Sequence, residues 1–119
     1  MAAPGPLTPV TYHLLLALAG GDQHGYAIKK TVLEQSDGAI RLGAGTLYAA
    51  IRRLDRDGLI EETRSRIAPK LDDERRKYYT LTRRGRERLT AETERLRRTV
   101  RIAETRLGLP PLAAAGGHP

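Results

Sequence analysis

A strongly amphipathic segment near the middle of the chain has the sequence GTLYAAIRRLDRDG, from Gly45 to Gly58. Its apolar residues recur every three or four positions and therefore share one face of a helix: Leu47, Ala50, Ile51 and Leu54. The opposite face carries Tyr48, Ala49, Arg52, Arg53 and Arg56. This pattern predicts a helix from about Thr46 to Asp57 that buries one side and presents arginines on the other, with Gly58 as its end.

Downstream of this helix the pattern changes to that of short strands. Residues 59–64 and 77–81 are rich in β-forming side chains, and we expect them to pair as a hairpin. The connector, 65–76, is long for a hairpin and carries several basic residues, so its tip is predicted to be mobile. A mobile basic tip is typical of a wing. Lys77 has an alternative role, because a lysine also shields a free strand edge.

Upstream of the amphipathic segment we predict two further helices. Thr8 and Pro9 are suited to begin the first, which ends near Ala19. Its leucines cover most of its circumference, which predicts packing both on its own core and on a second chain. The second helix runs from about His24 or Gly25 to Gln35, with Lys29 and Lys30 turned outward.

The last predicted helix is capped by Thr82 and extends to about Leu107. Apolar or small residues recur along it at spacings of four and three, as in a coiled coil, and we expect this stripe to pack against a partner chain. The predicted dimer interface comprises Leu14, Leu18, Leu89, Leu96, Val100, Ala103 and Leu107.

Together these elements predict a fold that is mainly α with a small β-hairpin: a winged helix-turn-helix plus a C-terminal dimerisation helix. The DNA-binding domain covers 7–82 and the dimerisation helix 83–107, while 1–6 and 108–119 have the composition of disordered ends. In such a domain the third helix enters the major groove and the hairpin lies on the neighbouring backbone.

The charge distribution agrees with a polyanionic partner. The chain of 119 residues has 21 basic and 14 acidic residues, a net charge of +7, and nearly all of the excess falls between residues 41 and 86. A localised excess of this kind is what phosphate neutralisation requires. It is also compatible with a solvated surface.

Several classes of protein are excluded by composition. The chain has no Cys, which rules out disulfides, thiolate metal sites and cysteine nucleophiles. His13, His24 and His118 are scattered without carboxylates at metal spacing, so we expect no metal, no cofactor and no catalytic site. The longest apolar run, Leu14 to Ala19, is too short to span a membrane. We expect a soluble, cytoplasmic protein.

Three motifs carry a resemblance to a known family: HGY at 24–26, GTLYAAIRRL at 45–54 with DGLI at 57–60, and RKYYTLTRRGR at 76–86. In this order and spacing the chain closely resembles the PadR family of bacterial transcriptional regulators, in its short type with one C-terminal helix. The resemblance implies a homodimeric winged-helix repressor that binds an inverted-repeat operator in double-stranded DNA. It also implies that a small-molecule effector relieves the repression. Ala49 departs from the family, which usually has Pro there, and this departure bears on base preference.

The candidate DNA-binding residues follow from the helix face, the hairpin and the resemblance together: Tyr26, Lys29, Thr46, Tyr48, Ala49, Arg52, Arg53, Arg56, Arg75, Arg76 and Lys77. Tyr48 has an alternative interpretation as a core tyrosine with a hydrated hydroxyl. Two alternatives for the whole chain are a winged-helix module whose basic face meets an acidic protein, and a small enzyme. The enzyme would need a convergent nucleophile or acid–base cluster, which the sequence does not offer.

Overall fold

A computed structural model describes residues 5–63 and 77–112. This part of the chain forms four helices and a small antiparallel sheet: α1 (Pro9–Ala19), β1 (Gln23–His24), α2 (Gly25–Gln35), α3 (Ala44–Arg56), β2 (Ile60–Thr63), β3 (Tyr78–Leu81) and α4 (Arg83–Leu107). The predicted fold class, mainly α with a hairpin, is confirmed. None of the helices in these two ranges is both long and apolar enough to cross a membrane.

The first helix begins as its sequence predicts. The Thr8 side chain accepts a hydrogen bond from the Thr11 backbone N–H, and Pro9 occupies the first helical turn. α1 then packs on α2, α4 and β3.

Burial within the chain corrects three residues of the predicted dimer interface: Leu14, Leu18 and Leu89. Leu14 and Leu18 are only 1% and 3% exposed and lie in the core of their own chain. Leu89 of α4 is buried in the same core. Because α1 packs against α2, α4 and β3, leucines around most of its circumference are buried without a second chain. Leu16 is the residue of this leucine run that reaches the surface.

The sheet contains one strand that the sequence patterns do not predict. Its strand order is β1-β3-β2, with β3 in the centre. Tyr79 of β3 faces Gln23 of β1 on one side and Glu62 of β2 on the other. β1 therefore connects the start of α2 to the predicted hairpin, whose connector at 65–76 lies outside the described residues.

The start of α4 is joined through Thr82 to the turn that follows α3. The Thr82 hydroxyl donates to the Gly58 carbonyl over 2.7 Å and accepts from the Gly85 N–H over 3.0 Å. The Thr82 backbone N–H donates to the Leu59 carbonyl over 3.1 Å. The predicted cap at Thr82 is thus also a link between these two helices.

Farther along, α4 is attached to the N-terminal segment and α1. Thr93 donates its hydroxyl proton to the Leu89 carbonyl, so the Tyr12 hydroxyl donates to Thr93 over 2.8 Å. Glu92, only 5% exposed, forms an ion pair with Arg95, and Arg88 donates to the Gly5 carbonyl over 3.4 Å. The first half of α4 therefore belongs to the same core as α1.

Candidate nucleic-acid interface

The arginine-bearing helix, α3, is positioned by its apolar face. The four residues predicted to share that face are all buried: Leu47, Ala50, Ile51 and Leu54. The helix begins at Ala44 after Gly43, two residues earlier than the sequence predicts, and Gly43 provides no side-chain cap. Packing of the apolar face compensates for the two glycines near this end, since tertiary contacts commonly override low helix propensity.

The other face of α3 is open to solvent. Thr46, Ala49, Arg52, Arg53 and Arg56 are all exposed. Ala49, Arg52 and Arg56 recur at spacings of three and four and so form one stripe along the helix. Arg56 lies 3.9 Å from the exposed carboxylate of Asp57, a contact that contributes little at the surface. The arginines of this face are therefore available to an anionic partner.

The first turn of α2 adjoins this surface and is held in place by His24. The His24 Nδ1 accepts a hydrogen bond from the Ala27 backbone N–H over 3.3 Å. The same ring packs edge-on against Tyr78 of β3, with centroids 5.5 Å apart. Tyr26 and Lys29, on the adjoining turns, are exposed.

The environment of Tyr48 is intermediate between its two predicted roles, an exposed DNA-binding residue and a core tyrosine. Its side chain is partly covered, and the residue is 36% exposed. The cover comes from Gly25 at the start of α2, where an added Cβ would lie 2.5 Å from the Tyr48 hydroxyl oxygen. Tyr48 is thus neither a core residue nor a free surface residue.

The charged groups of α3 and the sheet interact around Tyr79. Burial raises the pKa of Tyr79 above its usual value, and nearby Glu62, Tyr48 and Asp55 raise it further, whereas Arg52 lowers it. Arg52 therefore lies within electrostatic reach of the central strand.

On the hairpin, Lys77 is the described member of the predicted phosphate-binding group. Its Nζ lies 3.8 Å from the Glu62 carboxylate on the neighbouring strand, and both side chains are about half exposed. Arg75 and Arg76 lie outside the described residues, so their placement remains a sequence-based prediction.

The second half of α4 carries the residues of the predicted dimer stripe that stay accessible. Leu96 and Ala103 are half-buried, and Val100 and Leu107 are exposed. Beyond the helix, the Leu112 N–H donates to the Glu104 carboxylate over 2.8 Å, which turns the following segment back along α4. The resulting groove measures about 730 Å³ and is lined by Leu96, Val100, Leu109 and Leu112, among others.

Two glycines have a structural role that the sequence patterns do not predict. Gly25 lies in the HGY motif and Gly85 in the RKYYTLTRRGR motif, and both are buried at close approaches between elements. The sequence signal for this role is a glycine in the first turn of a predicted helix. Glycine lowers helix stability, so its presence there indicates that a neighbouring element needs the space of a side chain. Within residues 5–63 and 77–112 there is no group of three or more potential metal ligands.

Comparison with protein families gives a match over most of the folded region. The family described as "Transcriptional regulator PadR-like family" matches residues 14–91, well over half of the chain. Among curated proteins, an uncharacterized 37.1 kDa protein in transposon Tn4556 of Streptomyces fradiae is 39% identical over 85 residues. That match covers 71% of this chain and 22% of the relative, so the chain spans about a fifth of the relative's length.

Solved structures show the same fold. A transcriptional regulator from Clostridium thermocellum is 27% identical, with a TM-score of 0.64, over 81% of this chain and 87% of its own. The Bacillus subtilis PadR protein, in a structure with operator DNA, is 23% identical, with a TM-score of 0.59, over 71% of this chain and 46% of its own. At that identity the second likeness concerns the fold.

Proposed function

Because the chain belongs to the PadR-like family of transcriptional regulators, which is a family of regulators and not of enzymes, we propose that it binds a specific operator sequence in double-stranded DNA as a homodimer. The operator is an inverted repeat, because a two-fold symmetric dimer presents the same reading surface to each half-site. The protein acts in the cytoplasm, where it meets DNA.

The observation that carries this proposal is the exposed face of α3. A helix that buries one side and presents Ala49, Arg52 and Arg56 in a single stripe on the other has the shape and charge that the major groove accepts. A guanidinium group matches the O6 and N7 acceptors of guanine and also phosphate oxygens. In this proposal Arg52 contacts base edges, and the small side chain of Ala49 lets the helix approach the groove closely.

The surroundings of α3 supply the contacts that set its orientation. Tyr26 and Lys29 at the start of α2 meet the DNA backbone on one side of the recognition helix. The hairpin does so on the other side through Arg75, Arg76 and Lys77. Contacts of this type fix the register of the protein on DNA without selecting a sequence.

The dimer forms through the second half of α4. Val100 is 43% exposed, and with Leu96, Ala103 and Leu107 it continues an apolar stripe beyond the point where α1 covers the helix. Burial of this stripe against the same stripe of a second copy removes apolar area from water. Leu89 belongs to the intramolecular part of the stripe and stabilises the chain itself.

The regulatory part of the proposal is repression relieved by a small-molecule effector, and it is supported by the family resemblance. A ligand that favours one separation of the two recognition helices changes affinity for a fixed half-site spacing. The groove beside α4 shares Leu96 and Val100 with the proposed dimer contact, so a ligand bound there changes that contact.

The test is selection of bound sequences from a random duplex pool, followed by salt titration on the selected duplex and on a scrambled one. We expect a palindromic sequence preferred by about 10³-fold or more. Weak, unselective binding that is lost by about 200 mM salt would contradict the proposal. It would favour instead the module whose basic face binds an acidic protein.

A further inference from the structure

Two motifs that are far apart in the chain meet where α2 and α3 approach each other. Gly25 is the first residue of α2 and is buried, and Tyr48 lies in the first half of α3. A Cβ added at Gly25 would lie 2.5 Å from the hydroxyl oxygen of Tyr48 and 2.9 Å from two carbons of its ring. Since Cβ atoms do not tolerate heavy atoms at such distances, any other residue at position 25 must displace the ring.

The backbone on the α2 side of this contact is held firmly. His24 caps the helix through Ala27 and packs against Tyr78, and β1 pairs with β3 on both of its residues. The tyrosine ring is therefore the part that moves when Gly25 acquires a side chain.

We propose that Gly25 is a positioning residue for DNA recognition, which acts by seating the Tyr48 ring between α2 and α3. This inference rests on the proposed DNA-binding function and adds a residue that itself does not touch DNA. The seated ring stays partly exposed, one helical turn before Arg52, and is held in one place before DNA arrives. A contact that is fixed in advance loses less conformational entropy on binding, and this favours the specific complex.

The experiment compares four proteins: the wild type, Gly25→Ala, Tyr48→Ala and the double variant. Each is titrated with the duplex that the wild type selects from a random pool and with a scrambled duplex of equal length. We expect Gly25→Ala to weaken binding to the selected duplex by about tenfold and to leave the scrambled duplex unaffected, because no charge changes. In the Tyr48→Ala background the same substitution changes affinity by less than about twofold, because coupled residues are not additive.

Gly20→Ala is the matched control. Gly20 has an ordinary backbone conformation, φ −82°, and an added Cβ there would meet its nearest neighbour, the Ala17 carbonyl oxygen, at 3.6 Å. This variant binds as the wild type does. Thermal unfolding of every variant separates a loss of DNA contact from a loss of fold.

Four results overturn the inference. Equal losses from Gly25→Ala with and without Tyr48 would show that the two residues act independently. If Gly25→Ala alone does not fold, the double variant must fold, because the ring that the Cβ strikes is gone, and a double variant that also fails to fold contradicts the contact. A wild type that prefers no duplex overturns the proposed function together with this inference, whereas a preference that Gly25→Ala leaves undiminished overturns this inference alone.

Discussion

The backbone carbonyl of Leu59 lies directly against the α-carbon of Gly85, so that α4 crosses the start of the sheet with no space for a side chain between them. An added Cβ at Gly85 would overlap that carbonyl oxygen and would come within 2.8 Å of the Leu81 side chain. Because the obstacle is backbone on a short connection between α3 and β2, it cannot rotate away as a flexible side chain would.

Gly85→Ala is therefore expected to destabilise the protein by about 1–3 kcal/mol or more, the cost typical of overpacking. Gly45→Ala is the control, since Gly45 lies in α3 with nothing within 4 Å of an added Cβ. Alanine there should stabilise the helix by about 0.5–1 kcal/mol. Urea unfolding at one fixed protein concentration measures both, and a Gly85→Ala variant as stable as Gly45→Ala would contradict the close approach.

Arg52→Ala is expected to weaken binding to the selected operator by about 1–3 kcal/mol and to relax the preference for one base pair. Arg98→Ala, at an exposed position of α4, removes the same charge away from α3 and should leave the base preference intact. Arg75→Ala should weaken all duplexes alike and lower the salt slope by about one unit. Titrations on single-base operator variants decide the matter: equal, sequence-independent losses from Arg52→Ala and Arg75→Ala would refute this division of roles.

Val100→Glu is expected to convert the dimer into a monomer, because it places a charge in the middle of the proposed apolar contact. Ile102→Glu provides the comparison, since Ile102 is more exposed, 52% against 43%, and falls outside the 3-4 spacing of the stripe. Analytical ultracentrifugation should show twice the mass of the 13.1 kDa chain for the wild type and for Ile102→Glu. A monomeric wild type, or a dimeric Val100→Glu, would place the interface elsewhere.

Stability should depend on pH through Glu92. The Arg95 guanidinium, with a hydrogen bond from the Leu7 backbone, holds the pKa of Glu92 below its usual value of 4.5 even though burial opposes this. A lowered folded-state pKa stabilises the protein at higher pH, and that contribution is lost as pH falls through the folded-state value. We expect Glu92→Gln to be less stable than the wild type near pH 7 and the difference to shrink below pH 4.5.

Urea unfolding of both proteins from about pH 7 to about pH 3 measures this difference. Glu94→Gln, at an exposed position of the same helix, controls for the loss of one carboxylate. A constant gap between the wild type and Glu92→Gln across this range would show that the Glu92 charge contributes nothing.

The elements of this fold follow from local patterns where capping and periodicity agree. Thr8 with Pro9 and Thr82 mark helix starts through hydrogen bonds that their own side chains make, so the sequence alone predicts them. The buried face of α3 is also predicted from the sequence, because apolar residues that recur every three or four positions share one face of a helix.

Local patterns do not predict what tertiary packing decides. The leucine pattern of α1 predicts Leu14 and Leu18 at a dimer contact, because periodicity shows that a helix is buried on several sides but not by which chain. β1 has only two residues, Gln23 and His24, too few for a strand pattern, and it exists because β3 offers a free edge. The contact of Gly25 with Tyr48 depends on how α2 and α3 are arranged in space, which no local pattern contains.

The hydroxyl of Thr82 has a mechanical consequence. It fastens the first turn of α4 to the turn that follows α3, and the Tyr12–Thr93 hydrogen bond fastens the same helix to α1. Held at both Thr82 and Thr93, α4 cannot pivot independently of α3. A change in how two copies meet at the far end of α4 therefore turns the whole domain, and with it the recognition helix, as one body.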